Sequence, residues 1–263
     1  MVTSTGSGLA VPDWPLSYGS LFPPMVGGVF YEHGHRMTAA GVGLLTLCLS
    51  IWLGVKEKRG WVRYLGFGAL AAVVAQGILG GLTVLFFLPT AISVSHALLA
   101  QSFFIITILI AYSQSKEREA RDEISNGVNP KALKLSFLFA VLVYMQLLLG
   151  ALMRHMNSDP FVSHLFFTHL LGASAIALCL CILNISCMKN YKEERRILST
   201  LSLLDMLFLT QLALGLLTVL TRKSPTVTSF HVATGAAVLG VSVLLVLRMA
   251  PLSLGETRKF LFQ

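Results

Sequence analysis

Long apolar segments alternate with short polar loops along this chain. Seven of the segments are long enough to cross a bilayer as α-helices, and they cover residues 36–54, 62–87, 93–112, 132–153, 164–187, 197–221 and 228–249. The chain of 263 residues is 55% hydrophobic and only 12% charged, about half the charged fraction of a soluble domain. No segment resembles a cleaved signal peptide. The pattern predicts an all-α polytopic membrane protein.

The positive charge is concentrated in alternate loops. Lysine and arginine cluster at 56–63, 116–134 and 189–196 and in the C-terminal tail, and the net charge is +8. The positive-inside rule places these loops in the cytoplasm and the N-terminus outside. The basic charge therefore sets the topology, and no nucleic-acid partner is predicted.

One helical unit occurs twice. The segments QGILGGLTVL at 76–85 and QLALGLLTVL at 211–220 share seven of ten positions. In each copy a histidine follows the leading glutamine by 20 residues, and another precedes it by 41 or 42 residues. Matching sequence and matching spacing together indicate a duplicated unit.

The four repeated histidines lie at the outer ends of apolar segments, and each has a small residue four positions on. Neutral imidazole ligates iron, and a small residue one turn away leaves room for a flat macrocycle. Interhelical hydrogen bonding explains any single histidine equally well. Four at repeat-related places favour two haems, each held by a pair. The pairs are His35 with His96 and His169 with His231.

An acid accompanies only one of the two predicted sites. Glu32 precedes His35 by three residues, about one helical turn, whereas Phe166 holds the matching place before His169. The difference predicts chemistry at the first site, where Glu32 moves protons or stabilises charge, and electron transfer at the second. The alternative is an acid at a helix N-terminus, which the helix dipole favours.

Cations at the same external level are candidates for binding haem propionates, because arginine binds carboxylates in bidentate fashion. They are Arg36 in the first half and Arg222 and Lys223 in the second. The alternative for each is an interfacial cation that reaches water. Three histidines have no repeat partner, and they are His33, His155 and His164. Each is expected either to be exposed to solvent or to contact an iron-ligating residue without binding the iron itself.

The repeat divides the chain into an N-terminal bundle at 1–114, a cytoplasmic linker at 115–131 and a C-terminal four-helix bundle at 132–263. Parallel repeats keep their orientation, so a pseudo-two-fold axis along the membrane normal is expected. The N-terminal bundle contains only three predicted helices, and we expect a further helix before residue 1. The four cysteines lie in apolar segments and form no Cys-x-x-Cys, so neither a disulfide nor c-type haem attachment is predicted.

Five motifs together resemble the haem A synthase family. They are TGSGLAVPDWP at 5–15, Glu-x-x-His-Arg at 32–36, SHALLAQ at 95–101, THLLGA at 168–173 and SPTVTSFHVATGA at 224–236. The resemblance implies an eight-helix protein of two four-helix halves in the bacterial plasma membrane, with its haem sites toward the outer face. It also implies an oxidoreductase that converts a methyl group of haem O to a formyl group by successive hydroxylation, with oxygen supplied by water.

The resemblance gives each motif residue a role. His35 and His96 would face the haem O substrate, Glu32 would be the catalytic acid, and a haem b ligated by His169 and His231 would relay electrons. The partners implied are a haem O synthase that delivers the substrate, an electron acceptor that the sequence does not identify, and further copies of the chain. Two departures are the missing first helix and the stretch VPDWPLSYG at 11–19, which replaces a cysteine pair found in some members.

Two other functions fit the same four histidines. A bis-histidine membrane cytochrome that only transfers electrons would hold two identical, permanent haems. A haem-binding or transport protein would use the same ligands without catalysis. Neither gives Glu32 a purpose, so the difference between the two halves favours oxidation of a substrate haem.

Overall fold

The computed structural model describes residues 1–121, 129–156 and 164–250, without the side chains of 119–121. They form α1 (Gly28–Lys56), α2 (Gly60–Leu85), α3 (Thr90–Ser113), α4 (Lys116–Arg121), α5 (Pro130–His155), α6 (His164–Asn190), α7 (Arg195–Leu220) and α8 (Pro225–Met249). In these described ranges, seven helices are long and apolar enough to cross a membrane, all except α4. The predicted all-α, multi-pass membrane fold is confirmed. The middle of the predicted linker and the C-terminal tail lie outside the described residues.

The helices follow the predicted apolar segments closely except at α1 and α4. Helix α1 begins at Gly28 rather than at residue 36, because its first turns carry polar residues that the fold buries. Glu32 and His33 there are only 3% and 7% exposed. The short helix α4 was not predicted, since its sequence KEREAR is charged nearly throughout.

The second half closes into a ring of four helices. Helix α5 packs against α6 and α8, and α7 packs against α8 and α6. The ring encloses a continuous apolar core that includes Phe139, Leu183, Leu204 and Leu245. Packing of such side chains contributes many small dispersion contacts that together stabilise the ring.

The first half is a row of three helices. Helix α2 packs between α1 and α3, and α3 packs in turn against α5 and α8 of the second half. Its buried core is smaller and consists of Leu53, Val62, Ala69 and Ile110. Helix α3 therefore joins the two halves through the middle of the protein.

We call the end of the protein that carries residues 1–27 the outer end. The turns between α2 and α3 and between α7 and α8 lie there and have the same backbone shape. Phe87 and Leu88 are left-handed, with φ of 56° and 60°, and so are Arg222 and Lys223, with φ of 48° and 67°. In each turn, the N–H of the second left-handed residue donates to the carbonyl five positions earlier, at 2.7 Å and 2.8 Å. This bond closes the end of the preceding helix. The repeat thus preserves the turn while its side chains change from apolar to cationic.

Residues 1–27 precede α1 and contact the outer ends of helices from both halves. The ring of Trp14 lies on α2 at Gly81, where an added Cβ would be 2.7 Å from the indole. Ser4 Oγ accepts a hydrogen bond of 2.5 Å from Arg154 of α5 and lies 2.9 Å from the Ser229 hydroxyl of α8. The segment therefore links the two halves at one end of the helices.

Candidate functional site

His35 and His96 face each other across the first half. His35 lies two turns into α1 and His96 in the second turn of α3, and their ring centres are 6.5 Å apart with the planes at 82°. Two metal–nitrogen bonds of about 2.1 Å, made through nitrogens on facing sides, would place the ring centres about 6.4 Å apart. The observed separation matches the sharing of one metal ion.

His169 and His231 occupy the corresponding places in the second half. His169 lies in the second turn of α6 and His231 in the second turn of α8. The two imidazoles are close enough to interact electrostatically. Each predicted pair is therefore carried by two helices that begin at the same end of the protein, the end that carries residues 1–27.

The donor set at each pair fits a haem better than a metal ion bound by protein alone. Among the residues that the structure describes, no three His, Cys, Asp or Glu side chains cluster as metal ligands. A structural or catalytic zinc needs three or four protein ligands. A haem supplies its own equatorial nitrogens and needs only one or two imidazoles.

Three of the imidazoles also have a buried nitrogen without a hydrogen-bond partner. The atom is Nδ1 in each case, and the residues are His96, His169 and His231. Leaving a buried donor or acceptor unpaired costs about 1–3 kcal/mol. Such groups are expected where a bound ligand completes the surroundings.

The carboxylate of Glu32 lies beneath the N-terminal loop, one turn before His35. Its Oε2 accepts a hydrogen bond of 2.9 Å from the Val11 backbone N–H, and its Oε1 accepts one of 2.6 Å from Arg36. The predicted neighbour relationship with His35 follows from the helix. The loop contacts were not predicted, because they join residues distant in sequence.

Arg36 is directed into the same loop. Its NH1 donates to the carbonyl oxygens of Asp13 and Leu16, at 2.7 Å each, and its NH2 donates to that of Val11 at 3.2 Å. These bonds fix the loop over the outer end of α1. Binding of a haem propionate by Arg36 stays a prediction beside this structural role.

The histidines without a repeat partner differ from one another. His33 is buried, and its Nδ1 lies 2.8 Å from the Ser17 hydroxyl, so it also holds the loop. The carbonyl of His155 accepts a hydrogen bond of 2.9 Å from Thr90 of α3, and its imidazole is within electrostatic range of His96. His155 thus brings a residue of the second half beside the first pair.

Sequence reasoning missed the residues that pack against the histidines. Gly235, the small residue four positions after His231, was predicted to leave space for a macrocycle, but an added Cβ there would be 3.1 Å from both Gln211 and Leu147. Three other glycines lie directly against imidazole rings, and they are Gly80, Gly150 and Gly215. The signal was present as Gln-x-x-x-Gly, which occurs at 76–80, 146–150 and 211–215.

Residues 26–162 match the family model of the COX15-CtaA cytochrome oxidase assembly proteins, just over half of the chain. The chain belongs to this family. Relatives named heme A synthase confirm that it is the haem A synthase family suggested by the motifs. The family match includes Glu32, His35 and His96.

Two relatives of the haem A synthase family match over part of their length. The heme A synthase of Symbiobacterium thermophilum is 29% identical over 164 residues, and that of Bacillus licheniformis is 30% identical over 167. Each match covers 60% of this chain and about half of the relative, 54% and 53% respectively. The heme A synthase of Shouchella clausii is 28% identical over 255 residues, 88% of this chain and 84% of the relative.

Proposed function

We propose that this protein is a haem A synthase, which oxidises a methyl group of a bound haem O to a formyl group. Conversion of a methyl to a formyl group, with oxygen from water, releases four electrons and four protons in two successive hydroxylations and a loss of water. The site must therefore bind a haem, provide a route for electrons and handle protons. The chain offers residues for all three tasks.

The pair of His35 and His96 is the observation that carries the proposal. Two imidazoles 6.5 Å apart on two helices fit a haem iron between them. This pair lies beside Glu32 and beneath the loop at 1–27, so we assign the substrate haem O to the first half. In this assignment the two histidines hold the porphyrin at a fixed depth and orientation.

The pair of His169 and His231 would hold a resident haem b in the second half. When bound, that group supplies an electron relay between the substrate site and an acceptor outside the protein. The two imidazoles fix its iron. Arg222 and Lys223 lie in the turn before α8, the helix that carries His231, and would hold the propionates. Charge-assisted hydrogen bonds from these side chains would favour the ionised propionates.

Glu32 is the residue of the first site that can handle protons. Its carboxylate lies one helical turn from His35 and is buried, at 3% exposure. A buried carboxylate next to a reacting edge can accept a proton or stabilise a developing positive charge. Phe166 stands at the matching place in the second half, and it can do neither.

The setting follows from the family and from the topology. The protein would lie in the bacterial plasma membrane, with both haem sites toward the outer face and the basic loops in the cytoplasm. A haem O synthase would supply the substrate from the membrane. The electron acceptor would be a separate component. The protein would also assemble into homo-oligomers.

The experiment is an extraction of haem from the purified protein, followed by chromatographic identification of each type and by incubation with added haem O. We expect haem b in the preparation and the appearance of haem A from haem O. Two identical, permanent haems without conversion would instead identify a membrane cytochrome that only transfers electrons. Binding without electron transfer or conversion would indicate a haem carrier.

A further inference from the structure

A glutamine and a glycine recur beside three of the four repeated histidines. The glutamine precedes the glycine by four residues, one helical turn, so both lie on one face of their helix. The pairs are Gln76 with Gly80 on α2, Gln146 with Gly150 on α5, and Gln211 with Gly215 on α7. Each helix precedes, in the chain, the helix that carries the histidine.

Each glycine leaves the space that an imidazole occupies. An added Cβ would lie 3.3 Å from His96 Cε1 at Gly80, 3.6 Å from His169 Cε1 at Gly150 and 3.1 Å from His231 Cε1 at Gly215. Distances of 3.1 and 3.3 Å are closer than a normal van der Waals contact between carbons. An alanine at either position would therefore press on the imidazole ring and shift it by a few tenths of an ångström.

Each glutamine contacts the histidine from the same helix face. The Gln76 amide donates to the backbone carbonyl of His96 at 2.9 Å, and the Gln146 amide donates to that of His169 at 2.6 Å. The Gln211 amide instead lies 3.4 Å from Nε2 of His231. This contact is with the imidazole itself and not with the backbone of the histidine.

Polar atoms remain unpaired at two of these positions. Oε1 of Gln76 and of Gln211 is buried without a partner, and so is Nδ1 of His96 and of His231. A metal-bound imidazole carries a hydrogen on the nitrogen opposite the metal and needs an acceptor for it. A glutamine Oε1 is an acceptor of the kind that the N–H of a metal-bound imidazole needs.

We propose that the three glutamine–glycine pairs are positioning devices for the iron-ligating histidines. The glycine receives the imidazole ring, and the glutamine holds the histidine that faces it, through the backbone carbonyl of His96 and of His169 and at the imidazole of His231. This inference rests on the proposed haem ligation. It assigns a role to Gln146, which the two-fold sequence repeat does not include, and to the absence of a side chain at Gly80 and Gly215.

The glycine part is tested by alanine substitution and the visible and EPR spectra of the purified, haem-loaded protein. Ligation by two imidazoles gives low-spin iron, so displacement of one imidazole lowers the low-spin fraction. The contacts predict that the low-spin fraction falls most in Gly215→Ala, less in Gly80→Ala and little in Gly150→Ala. Gly77→Ala is the matched control, because an added Cβ at that position of α2 has nothing within 4 Å.

The glutamine part is tested by Gln76→Leu, Gln146→Leu and Gln211→Leu, which keep the side-chain volume but remove the amide. Loss of such a supporting bond typically weakens metal affinity by about 10-fold or more, and we expect that loss with a shifted haem reduction potential. Gln114→Leu at the C-terminal end of α3 is the control, because the amide of Gln114 donates to Glu57 at 2.8 Å and to no histidine. Thermal unfolding of each variant without haem separates positioning from folding.

The outcomes distinguish this inference from the proposed function. Wild-type protein without low-spin haem would overturn haem ligation itself. Wild-type protein with low-spin haem, together with Gly215→Ala and Gln211→Leu variants that keep its spectrum, potential and affinity, would overturn only the positioning role. Equal losses in Gly77→Ala and Gly80→Ala would also contradict it.

Discussion

The Glu32 carboxylate accepts a hydrogen bond of 2.9 Å from the backbone N–H of Val11, 21 residues earlier in the chain. Its other oxygen forms a 2.6 Å ion pair with Arg36. One side chain therefore joins the start of α1 to the loop above it, next to the proposed substrate ligand His35. Chemistry and loop structure depend on the same carboxylate.

Substitution of Glu32 should separate these two roles. Glu32→Gln keeps an oxygen for the Val11 N–H but cannot carry charge, whereas Glu32→Ala loses both. We expect both variants to retain haem and to lose formyl production by about 100-fold or more, the usual contribution of a positioned acid or base. Haem content and haem A output of the purified variants are the measurements.

The control is the response of the loop. Only Glu32→Ala should increase hydrogen exchange at the Val11 amide, because the glutamine retains an acceptor. Wild-type rates of haem A formation in Glu32→Gln would remove Glu32 from the chemistry and leave it a structural residue.

The loop should also respond to acid through Asp13. Hydrogen bonds from the backbone N–H groups of Gly19 and Tyr18 lower the pKa of the Asp13 carboxyl below its ordinary value, about 3.9 in an unfolded chain. A lowered folded-state pKa stabilises the folded loop above the unfolded value, and this contribution is lost as pH falls through the folded value. The turn at 13–19 should therefore be intact at neutral pH and loosen below about pH 4.

Hydrogen-exchange protection factors of the Tyr18 and Gly19 amides measure this effect, because they correct for the intrinsic pH dependence of exchange. Asp13→Ala should show the low protection already at neutral pH, and the amides of α1 serve as the reference. Protection of Tyr18 and Gly19 that does not change between pH 7 and pH 3 would contradict the assignment.

The two outer turns allow an exchange of side chains at matched backbone positions. Replacing Arg222 with Phe and Lys223 with Leu gives the second turn the residues of Phe87 and Leu88, which already adopt this left-handed shape. We expect the double variant to fold and to bind haem b at least about 10-fold more weakly, since a hydrogen bond to a charged group contributes about 1.5–3 kcal/mol.

Haem titration of the protein without bound haem measures that loss, and a rise in ionic strength should reproduce part of it in the wild type. Unchanged haem b affinity in the double variant would show that these two cations only serve the membrane interface.

The helices were predictable because lipid imposes a simple requirement. A membrane helix needs about 20 apolar residues, so segments such as 93–112 and 197–221 anticipated α3 and α7 to within a few residues. The start of α1 was not predictable in this way. Its polar residues Glu32 and His33 are buried by contacts with residues 1–27. The pattern of apolar residues along one segment cannot predict such contacts.

The histidines of the candidate site were predictable from the repeat, and their surroundings only in part. Spacing alone paired His35 with His96, which the structure places 6.5 Å apart. The engagement of Arg36 with the loop depends on contacts between residues more than 19 positions apart, and no sequence pattern specifies these. The glutamine–glycine pairs were visible in the sequence, but their meaning required knowing which helices are neighbours.

Haem content of four single variants tests the central claim most directly. His35→Ala and His96→Ala should abolish haem O binding and leave haem b in place, whereas His169→Ala and His231→Ala should abolish haem b binding and leave the first site able to bind haem O. Quantitative extraction and optical titration of each purified variant give the result. Loss of one haem type that does not follow these pairs, or wild-type haem content in all four variants, would contradict two haem sites with one in each half of the protein.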